Sequence, residues 1–301
     1  MSLLVTGSIA LDSVETPHGT ANDVLGGSAV YFSLAAAVFA PVRIVGVVGE
    51  DFEPRLLDPL ASRRIDVSGV EIRRGSRTFR WRGRYQGAMN DAETVGVQLN
   101  VLAERGATVP PAFMDSRCVF LANTHPALQL GFAQTLSKAE LIVCDTMNLW
   151  IENEREALLR TLCAVHGLVL NEGEARLLTG KSNLVSAGRE ILKLGPRFAV
   201  IKKGEHGSLL VSHDDLFVAP AYPTERTIDP TGCGDTFAGA MMGYMAAHRS
   251  YDRMALRRAM LHGSVTASFV IESFSIDALT RVTPEDVAER LRELRDMIRC
   301  D

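Results

Sequence analysis

Short apolar runs alternate with longer segments of helical periodicity along most of the chain. The runs are rich in Val, Ile and Leu and start near residues 3, 42, 118, 141, 168 and 198. They are apolar on both faces, as the strands of a buried parallel sheet are. The spacing of amphipathic helices is found between them, for example over 126–137, 152–164 and 184–194. This order predicts right-handed βαβ units and therefore an α/β fold, a doubly wound, mostly parallel central sheet flanked by helices. We expect ligands at the C-terminal ends of its strands.

Residues 78–85, TFRWRGRY, depart from this pattern because they alternate strictly. One face of the predicted strand carries Phe79, Trp81, Gly83 and Tyr85, and the other carries Arg80, Arg82 and Arg84. Helical periodicity is missing over roughly 70–100 and again over roughly 12–26. We interpret both regions as antiparallel strands of a small second sheet, inserted in the α/β core as a lid over a site. The arginine face is open to three interpretations: a solvated surface, a phosphate clamp, or partners for acids of another subunit.

Composition narrows the class of protein. The 301 residues are 47% hydrophobic and 23% charged, and 32 Lys and Arg against 36 Asp and Glu give a formal charge of −4. A chain of this kind folds into a globular core and has no overall attraction for nucleic acid or anionic lipid. The N-terminal residues look like a first strand and not like a secretion signal. We therefore expect one domain over 1–301, in the cytoplasm, with neither a nucleic acid nor a membrane as partner.

The most informative segment is IDPTGCGDTFAGAMMGYMA, residues 228–246. Gly232, Cys233 and Gly234 stand directly before Asp235, which opens a helix of small residues. Glycines before a helix let backbone N–H groups converge where the helix dipole favours an anion, so this turn suits phosphate. Asp235 could then accept the proton of an attacking hydroxyl during phosphoryl transfer. The alternative is that Asp235 only caps the helix.

These residues also carry a resemblance to a known family. DPTGCGDTFAG resembles the second signature of the ribokinase-like, or PfkB, family of small-molecule kinases. GSIALD near residue 7, GGSA at 26, VGVVGED at 45, NEGE at 171 and KKGEHG at 202 follow in the order of that family. The resemblance covers nearly the whole chain. It implies a ribokinase-like fold with a small β-sheet lid, and an enzyme that transfers phosphate from ATP to an alcohol.

The resemblance also implies roles for individual residues. Asp235 is the expected catalytic base, and the expected anion hole consists of Gly232, Cys233 and Gly234, where Cys233 replaces the usual alanine. Asn171 and Glu174 are expected to hold Mg²⁺, through water, as this ion prefers oxygen ligands and keeps several waters. From the residues alone, the favoured interpretation of NEGE is the start of a helix with acids in its first turn.

Two further groups follow from the same resemblance. The nucleotide is assigned to Lys203, Gly204, Gly207, Asp229 and Thr231. The substrate is assigned to Asp12, Gly26, Gly27, Tyr31, Phe79 and Trp81. Without the family, KKGEHG is simply a hairpin turn.

The substrate is the least determined part. Tyr31 stands where the family usually has asparagine, and Pro54 where glycine is common. GGSAVYFSLAA, TFRWRGRY and DTMNLW are similar to bacterial members described as nucleoside kinases. Phe79 and Trp81 could stack on a base, or they could pack the core of the lid or a dimer interface. We predict ATP- and Mg²⁺-dependent phosphorylation of a primary hydroxyl, the ribose 5′-hydroxyl of a nucleoside being favoured.

Other functions remain as alternatives. The same kinase chemistry could act on a free sugar or a sugar phosphate. An RNA-binding protein is suggested by the alternating aromatic and basic residues, but the negative charge of the chain opposes it. A catalytically inactive sensor is opposed by the intact Asp235 and its glycine turn. As partners we expect a small-molecule substrate and, through the lid, a second copy of the chain.

Overall fold

The computed structural model describes residues 2–90 and 92–300, which form two β-sheets with helices on both faces of the larger one. The strands in chain order are β1 (Leu3–Thr6), β2 (Ala10–Thr16), β3 (Gly19–Gly26), β4 (Val42–Gly49), β5 (Ile65–Arg73), β6 (Phe79–Tyr85), β7 (Ala92–Gln98), β8 (Cys118–Leu121), β9 (Leu141–Asp145), β10 (Gly167–Asn171), β11 (Phe198–Lys202), β12 (Ser208–Ser212) and β13 (Leu216–Ala219). The helices are α1 (Ser28–Ala37), α2 (Asp58–Ala61), α3 (Pro126–Thr135), α4 (Asn148–Asn153), α5 (Arg155–Cys163), α6 (Glu172–Thr179), α7 (Leu184–Lys193), α8 (Cys233–His248), α9 (Arg253–Val270) and α10 (Pro284–Met297). Short 3-10 turns lie at Pro54–Leu57, Asn100–Ala103, Pro111–Phe113 and Gly204–His206.

The larger sheet has nine strands in the order β13-β12-β11-β10-β9-β8-β1-β4-β5. All neighbours from β11 to β5 are parallel, and β12 and β13 complete the sheet as antiparallel strands. The six apolar runs of the sequence are β1, β4, β8, β9, β10 and β11, and the three periodic segments contain α3, α5 and α7. The predicted α/β fold is therefore confirmed.

Alternate residues of the parallel strands pack on opposite faces of this sheet. Val5 belongs to the cluster formed with α1, α8 and α9, whereas Leu4 belongs to the cluster formed with α3, α5 and α7. In β11, Val200 lies on the α8 face and Ile201 on the α7 face. This period of two determines which face a residue at the end of a strand belongs to.

Helix α8 lies directly against α1 because glycines remove the side chains between them. A Cβ on Gly239 would lie 2.3 Å from Phe32 O, and one on Gly243 would lie 2.7 Å from Ala36 O. Only glycine permits so close an approach. The packing sets the position of α8 and thus of its N-terminus, where the predicted anion site lies.

The four strands of the small sheet have the order β3-β2-β6-β7. The hairpins β2–β3 and β6–β7 are antiparallel, but β2 and β6 pair in parallel, from Ala10 opposite Phe79 to Glu15 opposite Arg84. The predicted second sheet is confirmed, and the expectation of purely antiparallel strands is wrong at this one joint. Its boundaries also change, since residues 70–73 belong to β5 of the large sheet.

The C-terminal helix begins as its sequence predicts. Thr283 caps α10, and Asp286 completes a capping box with Pro284 in the first turn. No helix within residues 2–90 and 92–300 has the length and apolar content that crossing a membrane requires.

Candidate active site

The turn before α8 is held by a glycine in the left-handed region. Gly232 caps the helix with φ 75°, which few other residues adopt without strain. A Cβ on Gly232 would lie 2.3 Å from Cγ of Tyr31, so the tyrosine ring packs directly against the turn. Tyr31 is 1% exposed, and the structure places it beneath the turn as a support. Its contact with a substrate stays a prediction.

Unpaired backbone N–H groups converge at this turn. The N–H of Cys233 donates to Pro230 O at 3.1 Å, so it is already in use. The N–H groups of Gly232, Gly234 and Asp235 have no hydrogen-bond acceptor among the residues that the structure describes. The thiol of Cys233 is directed away, with Sγ 4.0 Å from a carbonyl of α9. The amides available to an anion are therefore those of Gly232, Gly234 and Asp235. Two of them belong to the predicted set, and Asp235 takes the place of Cys233.

Asp235 lies at the start of α8 in a partly buried position. Burial, the largest cause, and the negative charge of Asp145 raise the pKa of its carboxyl, the positive charge of Lys202 offsets part of the rise, and the resulting pKa is about 7. A carboxyl with a pKa near neutrality is suited to accept a proton during a reaction at pH 7. Its role as the catalytic base stays a prediction.

Two residues that the sequence prediction missed lie beside Asp235. Asp145 is the last residue of β9 and Lys202 the last residue of β11. The Lys202 Nζ lies 3.8 Å from Asp145 Oδ2 and 2.8 Å from where a Cβ on Gly234 would be. Both end parallel strands on the edge where ligands of α/β sheets bind, and that position was the available signal.

Asn171 and Glu174 are confirmed as a helix start. Asn171 Oδ1 accepts from the Glu174 N–H at 2.8 Å, and Glu174 Oε2 accepts from the Asn171 N–H at 2.7 Å, which is a capping box. The same glutamate also interacts electrostatically with the charged residues of the site. Burial raises the pKa of Glu174 to about 7, and the charge of Asp145 adds to this rise while Lys202 opposes it. The structural and the functional interpretation of NEGE are compatible.

The predicted nucleotide turn forms a hairpin between β11 and β12. Gly204 and Gly207 both have positive φ, and a Cβ on Gly207 would lie 2.1 Å from Ala219 O. Lys203 lines a surface groove with Arg176 and other residues of the α6–α7 region. Nucleotide binding by these three predicted residues stays a prediction.

The predicted substrate residues Asp12, Gly26 and Gly27 come together at the small sheet. A Cβ on Gly26 would lie 2.0 Å from Asp12 Oδ2, so the carboxyl occupies the space of a side chain. Asp12 is 4% exposed. Burial, the largest cause, and the charges of Asp229 and Asp235 raise its pKa, the N–H of Gly27 donates to the carboxyl and lowers it, and the resulting pKa is about 7. Asp12 and Asp235 are therefore electrostatically coupled acids of one site.

Asp229 and Thr231 shape the chain before the turn. The Asp229 carboxylate accepts from the Thr231 N–H at 2.9 Å and from the Ser275 N–H at 3.4 Å. The Thr231 hydroxyl donates to the Tyr85 hydroxyl at 3.4 Å. Burial raises the pKa of Tyr85, and the charges of Asp229 and Asp12 act in the same direction. Tyr85, like Asp12, is thus a residue of the small sheet that reaches the site.

The other aromatic residues of this strand lie differently. Trp81 covers Gly83, where a Cβ would lie 2.0 Å from its ring, and packs with Val14, Tyr85 and Met89. Phe79 pairs with the first residue of β2. Packing within the lid, one of the three interpretations from the sequence, therefore holds for Trp81. Stacking of Phe79 or Trp81 on a base stays a prediction.

Two of the three arginines on the other face of the same strand form ion pairs within this chain, and the third, Arg82, is exposed. Arg80 forms ion pairs with Asp23 and, at 3.2 Å, with Asp51. Arg84 lies 3.3 Å from Glu15 and 3.7 Å from Glu93. These arginines hold strands of the small sheet to each other and to the core.

Comparison with known proteins assigns the family. Residues 123–280, just over half of the chain, match the sequence model described as pfkB family carbohydrate kinase. The chain belongs to this family. It is 29% identical over 269 residues to a cytidine kinase of Thermococcus kodakarensis, covering 86% of this chain and 95% of that protein. It is 28% identical over 187 residues to a nucleoside kinase of Methanocaldococcus jannaschii, covering 62% of this chain and 58% of that protein.

The fold of this pfkB-family kinase agrees with solved structures. The nucleoside kinase of Burkholderia thailandensis in complex with ADP-inosine superposes with a TM-score of 0.80 at 18% identity, covering 97% of this chain and 95% of that one. The ribokinase of Arabidopsis thaliana complexed with ribose and ATP gives 0.79 at 17% identity, covering 96% and 98%. The predicted ribokinase-like fold is confirmed, and the protein is a phosphotransferase that uses ATP and acts on a hydroxyl group.

Proposed function

We propose that this kinase transfers the γ-phosphoryl group of ATP to the 5′-hydroxyl of a ribonucleoside. The observation that carries the proposal is the convergence of Asp12, Asp235 and the unpaired amides of the turn in one partly buried site. Asp12 can accept hydrogen bonds from ribose hydroxyls, and Gly26 lets its carboxyl pack closely against the chain. The preference for a nucleoside is supported by the cytidine kinase relative, of which 95% is covered.

The reaction needs little covalent chemistry from the protein. Asp235 accepts the proton of the acceptor hydroxyl. At the same time the hydroxyl oxygen forms a bond to the γ-phosphorus, and the bond from that phosphorus to the ADP oxygen breaks. The N–H groups of Gly232, Gly234 and Asp235 stabilise the charge on the transferring group. The small sheet, with Tyr85 in contact with Thr231, excludes water that would otherwise hydrolyse ATP.

Magnesium fits this site through water and phosphate. Among the described residues, no group of three or more His, Cys, Asp or Glu is arranged to hold a metal directly. The nearby donors are oxygens, those of Asp145, Asn171 and Glu174, which suits an ion that keeps several waters. Glu174 and Asn171 would hold those waters, and the bound ion would neutralise charge on the ATP phosphates. Of the two glutamate oxygens, only Oε2 is used in the capping box.

The test is a screen of acceptors with the wild-type protein. ADP formation is followed with ATP, Mg²⁺ and cytidine, uridine, adenosine, inosine, guanosine, ribose, fructose or fructose 6-phosphate, and the product is located by ³¹P NMR. A nucleoside 5′-phosphate is the expected product, and the Asp235→Asn variant serves as the inactive control. Turnover of free sugars or sugar phosphates alone would overturn the nucleoside assignment and leave the carbohydrate kinase alternative. Dimerisation through the small sheet and a cytoplasmic location stay predictions.

A further inference from the structure

Lys202 occupies a position at this site that the proposed mechanism leaves without a role. In β11, Val200 packs on the face of the sheet that α8 covers, and Ile201 packs on the opposite face. With a period of two, Lys202 returns to the α8 face and Lys203 to the other. The contacts agree, because Lys202 lies beside Gly234 whereas Lys203 lines the groove near Arg176.

The ammonium group of Lys202 has unfilled hydrogen-bonding capacity. Its side chain is 17% exposed and lies 3.8 Å from Asp145 Oδ2, too far for a hydrogen bond. An ammonium carries three N–H donors, and within the described part of the chain none of them has a hydrogen-bond acceptor. Burying such a group is costly unless a partner is supplied.

The position of the Lys202 ammonium group indicates where its missing hydrogen-bond acceptor would lie. Nζ lies 2.8 Å from the position of a Cβ on Gly234, next to the unpaired amides of the turn. The charges of Asp145, Glu174 and Asp235 outweigh burial and raise the pKa of Lys202, so the group stays positively charged. A cation and free amides that meet at one point form a site for an anion.

We propose that Lys202 is a catalytic residue whose ammonium group donates hydrogen bonds to the oxygens of the γ-phosphoryl group during transfer. This inference rests on the proposed function, because it takes the turn at 232–235 as the place of that group. Lys202 neither makes nor breaks a covalent bond. It stabilises negative charge while the phosphorus leaves ADP and joins the acceptor oxygen. Asp145 acts as a positioning residue that holds the lysine in place.

The competing explanation is that Lys202 only neutralises Asp145 and that Lys203 binds the nucleotide, as the sequence predicted. The two explanations separate in the variants Lys202→Met and Lys203→Met, with Lys193→Met as matched control. Lys193 is exposed on α7 and pairs with Glu190. We expect Lys202→Met to lower kcat by about 10² to 10³ fold, as loss of one transition-state donor does, with the KM of the acceptor within about threefold. Lys193→Met should match wild type.

Chemical rescue of kcat by a free amine distinguishes a catalytic role of Lys202 from a purely structural one. Addition of propylammonium to Lys202→Ala should restore kcat at least about tenfold, because the free amine can occupy the vacated space beside Gly234. The same amine should leave the Lys193→Met control unchanged. If Lys202→Met melts far below wild type, the neutral variant Lys202→Gln replaces it, and a wild-type kcat in that variant would overturn the proposal.

The outcomes distinguish this inference from the proposed function. A wild-type protein that phosphorylates no acceptor contradicts the proposed function before any lysine variant is compared. A wild-type protein that is active, together with a kcat for Lys202→Met within threefold of wild type, contradicts only the role of Lys202. Loss of activity in Lys203→Met with retention in Lys202→Met would assign the nucleotide contact to Lys203 instead.

Discussion

Asp12 offers a direct measure of how much stability the site gives up for function. Its carboxyl is 4% exposed, and burial is the largest cause that raises its pKa from 3.8 to about 7. The Asp12→Asn variant keeps the size and the acceptor oxygen that the Gly27 N–H requires, but it cannot ionise. We therefore expect this variant to be more stable than wild type at neutral and alkaline pH, and inactive.

The expected magnitude follows from the pKa difference. Between pH 4 and 7 the folded protein keeps a proton on Asp12 that the unfolded chain has released, so stability falls as the pH rises through this range and is lowest above it. At about 1.4 kcal/mol for each tenfold change in proton affinity, the ionised carboxyl costs up to about 4 kcal/mol above pH 7. The unfolding entropy of a chain of this length is about 0.6 kcal/mol/K, so the full cost corresponds to roughly 6 °C in Tm.

The assay is thermal unfolding of the variant and of wild type in steps from pH 5 to 9. The Tm difference in favour of Asp12→Asn should grow by roughly 2 °C per pH unit up to about pH 7 and then stay constant. Asp296→Asn on the exposed face of α10 is the control and should show no such trend. A Tm difference that does not change with pH would refute the reasoning, because Asp12 would then be ionised without penalty.

Three further variants test the turn and the lid. Asp235→Asn should lower kcat by about 10² to 10⁴ fold, and wild-type kcat/KM should rise with pH through about 7, the pKa of Asp235; a flat profile would contradict its role as base. Gly232→Ala should destabilise the protein by roughly 2 to 5 kcal/mol in thermal unfolding, since φ is 75° and Tyr31 fills the space that the new methyl group would need. Gly131 has open space around it, so the control variant Gly131→Ala should not be destabilised in this way. Tyr85→Phe should raise the KM of the acceptor about fivefold, the cost of one hydrogen bond, and an unchanged KM would remove Tyr85 from the site.

The large sheet could be predicted because its signal is local. Six of the seven parallel strands are short apolar runs, and burial on both faces follows from the run itself, whereas exposed residues interrupt β5. The parallel pairing of β2 with β6 could not be predicted in this way. Ala10 pairs with Phe79, and neither segment indicates which strand is its partner or in which direction the two strands pair. The hairpins on either side of this joint were predicted as antiparallel, and the same direction was carried across it.

The site was predictable where motifs are contiguous. Asp235 and its glycines stand together in the sequence, and so do Asn171 and Glu174. Lys202 was not predicted because β11 is apolar on both faces, and the assignment of Lys203 to the nucleotide stays a prediction. The sequence of β11 therefore does not show which face leads to α8, and only the packed sheet does.

The Tyr31 assignment illustrates a different limit. Its position in the family signature predicts contact with a substrate, which stays a prediction, and the structure shows in addition that its ring packs against Gly232. A residue beneath a catalytic turn and a residue within it can carry the same family motif. Only the direction of the side chain separates them.

The chain enters the small sheet twice, at β2–β3 and again at β6–β7, with β4, β5 and α1 of the core between the two visits. The small sheet is therefore not one continuous segment of the chain, and it cannot be exchanged between relatives by replacing a single segment. A chimaera that takes only one hairpin from a relative would have to re-form the parallel joint between β2 and β6 with a foreign neighbour. New acceptor preferences in this scaffold should accordingly arise by point substitution on the strands, or by the transfer of both hairpins together.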